Sequence, residues 1–154
     1  MLKKCFLPIV LILFIYVAVT AYQAQATGSY IGSEACGQCH FYEYENFMNY
    51  SQKANSWESI SVMAPKLTDE ELKGCYQCHT TGYNQGGFIS FEQTPELADV
   101  GCETCHGPGR EHVDTGGFPD AIERLPIIED CLVCHTEERN EAFGFRPLIY
   151  SGAH

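Results

Sequence analysis

Positive charge is scarce in this chain. Nine Lys and Arg stand against 20 Asp and Glu in 154 residues, a formal net charge of −11. A nucleic-acid partner is therefore excluded on electrostatic grounds, because phosphate attracts a basic surface. The apolar run near the N-terminus is short for a membrane span, and histidine is scarcer than charge, with six in all. Cysteine is the exception to this poverty: there are nine in a chain of one-domain length.

Eight of those cysteines fall into one repeated phrase. Cys-x-x-Cys-His occurs at Cys36, Cys39 and His40, at Cys75, Cys78 and His79, at Cys102, Cys105 and His106, and at Cys131, Cys134 and His135. This is the attachment signature of c-type haem. Two thiols at this spacing each add across a vinyl group of one porphyrin. The histidine that follows is then held under the iron and binds it through an imidazole nitrogen. Cys-x-x-Cys pairs also serve as zinc ligands or redox dithiols. Four copies that also absorb four of the six histidines decide for four covalent haem c groups.

The N-terminus agrees with that reading. Lys3 and Lys4, an apolar run and Ala24-Gln25-Ala26 form a secretory signal peptide over residues 1–26. The alternative is an uncleaved anchor. Cys5 lies ahead of the apolar run and leaves with the signal. Haem c is attached outside the cytoplasm, so a periplasmic or extracellular location is expected for residues 27–154, the tetrahaem domain.

Cleavage leaves 128 residues and, with Lys3 and Lys4 gone, a net charge of −13. A chain this short cannot build an ordinary side-chain core and also wrap four porphyrins, so the porphyrins are expected to be the core. Regular structure should be sparse and mostly helical. The acidic surface suits docking to a positively charged patch on a redox protein, although solubility alone would also explain most of the charges.

Along the chain, residues 41–57 contain no Gly or Pro, and Tyr44, Phe47, Met48 and Ser51 fall at helical spacing. A helix is expected there. Thr68 and Glu71 form a capping box for a helix running into the second motif. A glycine-rich loop follows, with a short extended piece over residues 88–91. Thr94 and Pro95 mark the N-cap and first position of a helix leading to the third motif. Residues 107–120 are expected to be loop, a short helix should hold the fourth motif, and the tail from residue 139 needs haem to pack on. The motif separations of 39, 27 and 29 residues are too unequal for a solenoid.

The histidine count limits ligation. Four irons have eight axial positions, and His40, His79, His106 and His135 take four. Only His112 and His154 remain, so one chain can make at most two bis-histidine haems. The other two irons have a methionine (Met48 or Met63), a weaker ligand, a neighbouring chain's histidine or an open face. Bis-histidine ligation suits electron transfer, methionine raises the potential, and an open iron binds small molecules. His112 follows His106 too closely to face the same iron easily, and is better placed opposite a different haem. A plain solvent-exposed loop histidine is the alternative.

The phrases "SEACGQCHFYEYENF", "CYQCHTTGYNQGGF" and "DVGCETCHGPGREH" resemble the tetrahaem cytochrome c-554 family. The resemblance covers most of residues 30–154. It implies a mostly helical, compact multihaem fold with four closely packed haems. It implies that His112 lies opposite His40, that His154 lies opposite His106, and that His79 is the proximal ligand of an open second haem. The family usually carries a histidine on the helix after the first motif, serving the fourth haem. Here Gln52 stands at that place, and Met48 lies four residues earlier on the same helical face. The haem on His135 is left with Met48, Gln52, a neighbour's histidine or no sixth ligand.

The expected function is exported electron transfer between redox protein partners, in which the protein sets distance, ligands and dielectric. Two other classes compete with it. One is a small-molecule reductase, for example of nitric oxide, at an open haem, although no acid–base constellation stands out around His79. The other is a homo-oligomer or extracellular haem filament whose subunits lend one another ligands. Mass spectrometry of the mature protein should show the chain from Thr27 plus four haems. A mass with zinc, or without haem, would overturn the reading.

Overall fold

The computed structural model describes residues 29–136. The signal peptide, Cys5, the tail from residue 139 and His154 lie outside the described residues. Seven short α-helices occur in order among the described residues: α1 Ser33–Gly37, α2 Phe41–Tyr50, α3 Ser56–Ser61, α4 Asp69–His79, α5 Cys102–His106, α6 Arg110–Asp114 and α7 Ile128–Leu132. Turns of 3-10 helix lie at Gln52–Asn55, Ala64–Lys66, Pro95–Leu97 and Pro119–Ala121. No strand occurs among the described residues. The fold is mostly α with little regular structure, as expected. No helix among the described residues is long and apolar enough to cross a membrane.

The motifs fall at helix ends. α1 carries Cys36, and His40 caps the start of α2. α4 ends on His79, α5 is the third motif itself, and α7 carries Cys131. α4 starts as the sequence predicts. The Thr68 hydroxyl accepts from the Glu71 N–H at 3.4 Å, and Glu71 Oε2 accepts from the Thr68 N–H at 2.9 Å. This reciprocal bonding satisfies two donors that the first turn leaves without intrahelical partners.

Three local expectations need correction. The helix expected over residues 41–57 breaks at Ser51, which is extended at φ −90° and ψ 124°. The Ser51 hydroxyl accepts from the Lys53 N–H at 3.3 Å, which starts a new turn; serine competes with helical bonding in this way. The loop expected over residues 107–120 contains α6, because buried acceptors hold its first turn: Gly109 N–H donates to Glu103 Oε1 at 2.7 Å and Arg110 N–H to Ser29 O at 3.1 Å. Residues 88–91 form no strand, and Ile89 N–H is taken by the Thr94 hydroxyl at 2.9 Å.

A side-chain core does form, contrary to the expectation that porphyrin alone would fill the interior. Tyr30, Ile60, Tyr76, Phe88, Leu97 and Ala98 are buried together, with Trp57, Leu72, Cys75 and Tyr83 packed against them. The rings are specifically arranged. Tyr76 meets Phe88 edge-on at 5.1 Å and Tyr83 edge-on at 5.2 Å, and Trp57 stacks on Phe91 at 5.2 Å. Such offset and edge-to-face pairs are favoured by the ring quadrupole. The core is local, however, because it wraps the second motif only. Phe41, Tyr42, Phe118, Leu125, Ile127 and Val133, near the other motifs, remain exposed.

The link between the second and third motifs is polar. Thr81, 2% exposed, donates its hydroxyl to Asp99 O at 2.6 Å and accepts from Gly101 N–H at 2.8 Å. Its N–H donates to Leu97 O at 2.9 Å, and its carbonyl accepts from Phe88 N–H at 2.8 Å. Thr81→Val keeps the shape and leaves two backbone groups without a partner. It should cost about 1–3 kcal/mol, read from denaturant unfolding of the haem-loaded protein. An unchanged midpoint would show that the hydroxyl does not tie the two motifs together.

Candidate haem-binding sites

A histidine offers Nε2 to iron when Nδ1 carries the proton and is held by an acceptor. Three histidines here meet that condition. His79 Nδ1–H points at Ser56 O at 3.2 Å, His106 Nδ1–H at Glu123 O at 2.6 Å and His112 Nδ1–H at Phe118 O at 2.9 Å. Each acceptor is a backbone carbonyl in a different segment, so each imidazole is aimed by the fold. The His79 anchor is reinforced, since the Ser56 hydroxyl donates to His79 O at 2.9 Å and accepts from Val100 N–H at 2.8 Å.

The structure brings His40 and His112 together, 72 residues apart in sequence. Their ring centroids are 6.3 Å apart and their planes differ by 23°. An imidazole nitrogen binds a transition metal at about 2 Å, and the centroid lies about 1 Å farther out, so two axial imidazoles on one iron have centroids about 6 Å apart. The observed pair fits an iron between them. This is the separation that the ligand role implied for His112 by the family resemblance would need.

The third motif has room for a porphyrin. An open groove of about 510 Å³ runs along His106 between Ser29, Pro108, Arg110 and Ile122. A second, of about 350 Å³, lies on Thr104, Cys105, Leu125 and Ile127. The expected opposite ligand, His154, lies outside the described residues. Among the described residues no three His, Cys, Asp or Glu side chains converge to hold a bare ion, and no disulfide joins the motif cysteines.

The fourth motif sits beside the segment that the sequence singled out for it. Burial, then the charge of Lys53, lowers the pKa of His135. The same Lys53 charge acts on Cys131 and Cys105, opposing the upward push of their burial. The turn Gln52–Asn55 thus borders the third and fourth motifs. Lys53 is the half-buried residue of that turn, Gln52 is exposed, and Met48 on α2 is 37% exposed. Sequence reasoning weighed Met48 and Gln52 and missed Lys53. Met63, the other methionine weighed, is also exposed.

The motifs also touch one another. Cys36 and Cys102 lie side by side, and as free thiols each perturbs the other, the first pushed up and the second lowered to about 6. Cys134 Sγ lies 3.8 Å from Gln77 O, inside the second motif. Cys131 raises the pKa of Cys105 through its nearby charge, a smaller effect than burial. The fourth motif thus touches the second at Cys134 and Gln77, and the first lies beside the third at Cys36 and Cys102. Replacing His112 with Ala should convert one low-spin ferric haem to high spin in the EPR spectrum and raise its potential. An unchanged low-spin count would remove His112 from the ligand set.

Comparison with known proteins places part of the chain beside a described family. The family "Cytochrome c554 and c-prime" matches residues 35–107, which hold the first three motifs. The chain is similar to cytochrome c-554 of Nitrosomonas europaea, at 27% identity over 139 residues, covering 71% of this chain. It spans 59% of the length of that relative. No solved structure matches the chain. Residues 35–107 are thus similar to the cytochrome c-554 family of c-type cytochromes.

Proposed function

We propose that this protein is an exported tetrahaem cytochrome that relays single electrons between redox protein partners. The observation that carries the reading is the closeness of the attachment motifs to one another, from Cys134 beside Gln77, through Cys131 near Cys105, to Cys36 beside Cys102. Neighbouring attachment points bring neighbouring redox centres close, and tunnelling needs short gaps. Haem c, when bound, supplies a one-electron iron couple. The chain supplies the rest. Carbonyls of Ser56, Glu123 and Phe118 orient the ligands. The aromatic cluster around Tyr76 excludes water from one side of the second motif. The excess of acidic residues steers a basic partner surface toward the protein. The leader over residues 1–26 delivers the chain to a periplasmic or extracellular site.

A second reading is a small-molecule reductase at an incompletely ligated iron. The observation in its favour is that six histidines cannot fill eight axial positions. His79 is the residue at issue. Beside Ser56, which holds the His79 ring, Trp57 donates its N–H to the Asp99 carboxylate at 2.8 Å. Asp99 is therefore already engaged in holding α3. A third reading, a haem filament, draws on the same shortage and requires a ligand from a neighbouring chain.

The test is reductive titration of the purified monomer together with steady-state assays. Relay predicts uptake of four electrons per chain, fast exchange with a basic redox protein that slows with salt, and no turnover of nitric oxide with a reduced donor. Sustained turnover would support the reductase. Fewer than four electrons would refute the tetrahaem relay. Conversion of a low-spin haem to high spin on dilution would support ligand sharing between chains.

A further inference from the structure

Glu103 lies inside the third motif, between Cys102 and Cys105, and is 2% exposed. A carboxylate buried this deeply must have its oxygens satisfied. Its donors are backbone amides from two separate segments. Ile31 N–H lies 3.0 Å from both oxygens and Gly32 N–H lies 2.8 Å from Oε2. Gly109 N–H lies 2.7 Å from Oε1. Bonds from amides to a carboxylate are charge-assisted and stronger than neutral ones.

Each segment leads directly to one axial histidine. Gly32 precedes α1, which runs through Cys36 to His40. Gly109 precedes α6, which carries His112. The two arms meet at Glu103, and their far ends are the two rings whose centroids stand 6.3 Å apart. The Ser33 hydroxyl, accepting from Cys102 N–H at 3.1 Å, and the Arg110 N–H bond to Ser29 O at 3.1 Å lie on the same two arms. The Arg110–Ser29 bond also ties the two arms directly, at their bases, whereas Glu103 gathers residues 31, 32 and 109 onto one carboxylate.

We propose that Glu103 is the positioning residue of the His40–His112 pair, holding both arms so that the two imidazoles face one iron at ligating distance. It does not touch the iron; it acts through the backbone of residues 31–32 and 109. Glutamine at this place keeps the size but replaces one acceptor oxygen with an NH2 group, which cannot accept, so one arm loses its anchor. Aspartate is one methylene shorter and cannot reach both arms. The proposal rests on the reading of His40 and His112 as one haem's ligands.

The experiment compares Glu103→Gln, His112→Ala and the double variant in the fraction that mass spectrometry shows to carry four haems. His112→Ala identifies the EPR signal of the haem in question. In Glu103→Gln that signal should lose intensity or shift its g values while the other low-spin signals stay unchanged. Cyanide should bind that haem about tenfold more tightly, the weight of one charge-assisted hydrogen bond, and added imidazole should restore the low-spin signal. In the double variant the low-spin loss should equal that of His112→Ala alone. A Glu103→Gln protein that is merely less stable, with an unaltered signal and cyanide affinity, would overturn the proposal. If His112→Ala changes no signal, the ligand pair itself fails, which is a different result. Should Glu103→Gln not accumulate, Gly109→Ala serves. Its backbone admits alanine at φ −90°, and the added Cβ meets Glu103 Oε1 at 3.3 Å and Ile31 Cδ1 at 3.4 Å. A small shift of the same EPR signal is expected, and no shift would count against the proposal.

Discussion

An imidazole can bind iron in a fixed direction only if its other nitrogen is held, and this requirement organises the molecule. The acceptors for His79, His106 and His112 are carbonyls 23, 17 and 6 residues away. None belongs to the helix that presents its histidine. The start of α3, the segment after the turn Pro119–Ala121 and Phe118 must each be in place before a ring is aimed. Correct folding of the connecting segments is thus a condition of ligand geometry. A chain with only six histidines has no spare ring to replace one that is badly aimed.

The same economy explains the interior. Most of the groups that join the motifs are polar side chains bonded to backbone: Thr81 to Asp99 and Gly101, Ser56 to His79 and Val100, and Glu103 to Ile31, Gly32 and Gly109. Short helices leave many unpaired N–H and C=O groups at their ends. Seven helices of 5 to 11 residues among the described residues have more ends per residue than a few long ones would, and buried ends must be satisfied. Hydroxyls and a carboxylate do this in little volume, which leaves room for bulky planar groups. Packing of apolar side chains is concentrated where it has room, around Tyr76 and Trp57.

Whatever local chemistry dictates was legible in the sequence. The attachment phrases, the capping box at Thr68 and the helical character follow from residues within a few positions of one another. The break at Ser51 was hidden because a serine fits a helical pattern until its hydroxyl finds the Lys53 N–H. α6 was hidden because what starts it is an acceptor six residues upstream, Glu103, bonded to Gly109 N–H. Glu103 itself reads as one more acid in an acidic chain, and nothing nearby in sequence marks it as buried. His112 is a ligand candidate by scarcity and by resemblance, and its ring centroid stands 6.3 Å from that of His40. The function of Lys53 at the fourth motif depends on a turn that the periodicity of residues 41–57 concealed.

The two ends of the motif series differ in a way that bears on the direction of electron flow in the proposed relay. At one end the second motif is set in an aromatic cluster, and its His79 has no candidate partner ring among the described residues. At the other end the His40 and His112 rings stand 6.3 Å apart, with the Glu103 carboxylate buried nearby. Low polarity and a missing strong ligand disfavour ferric charge, whereas a buried carboxylate and two imidazoles favour it. Lys53, between them, opposes ferric charge at the third and fourth motifs. These terms all act in one sense along the series. If the motifs carry the haems proposed, these charges and ligands would lower the potential at the first motif and raise it toward the second, and the proposed relay would favour reduction at the second.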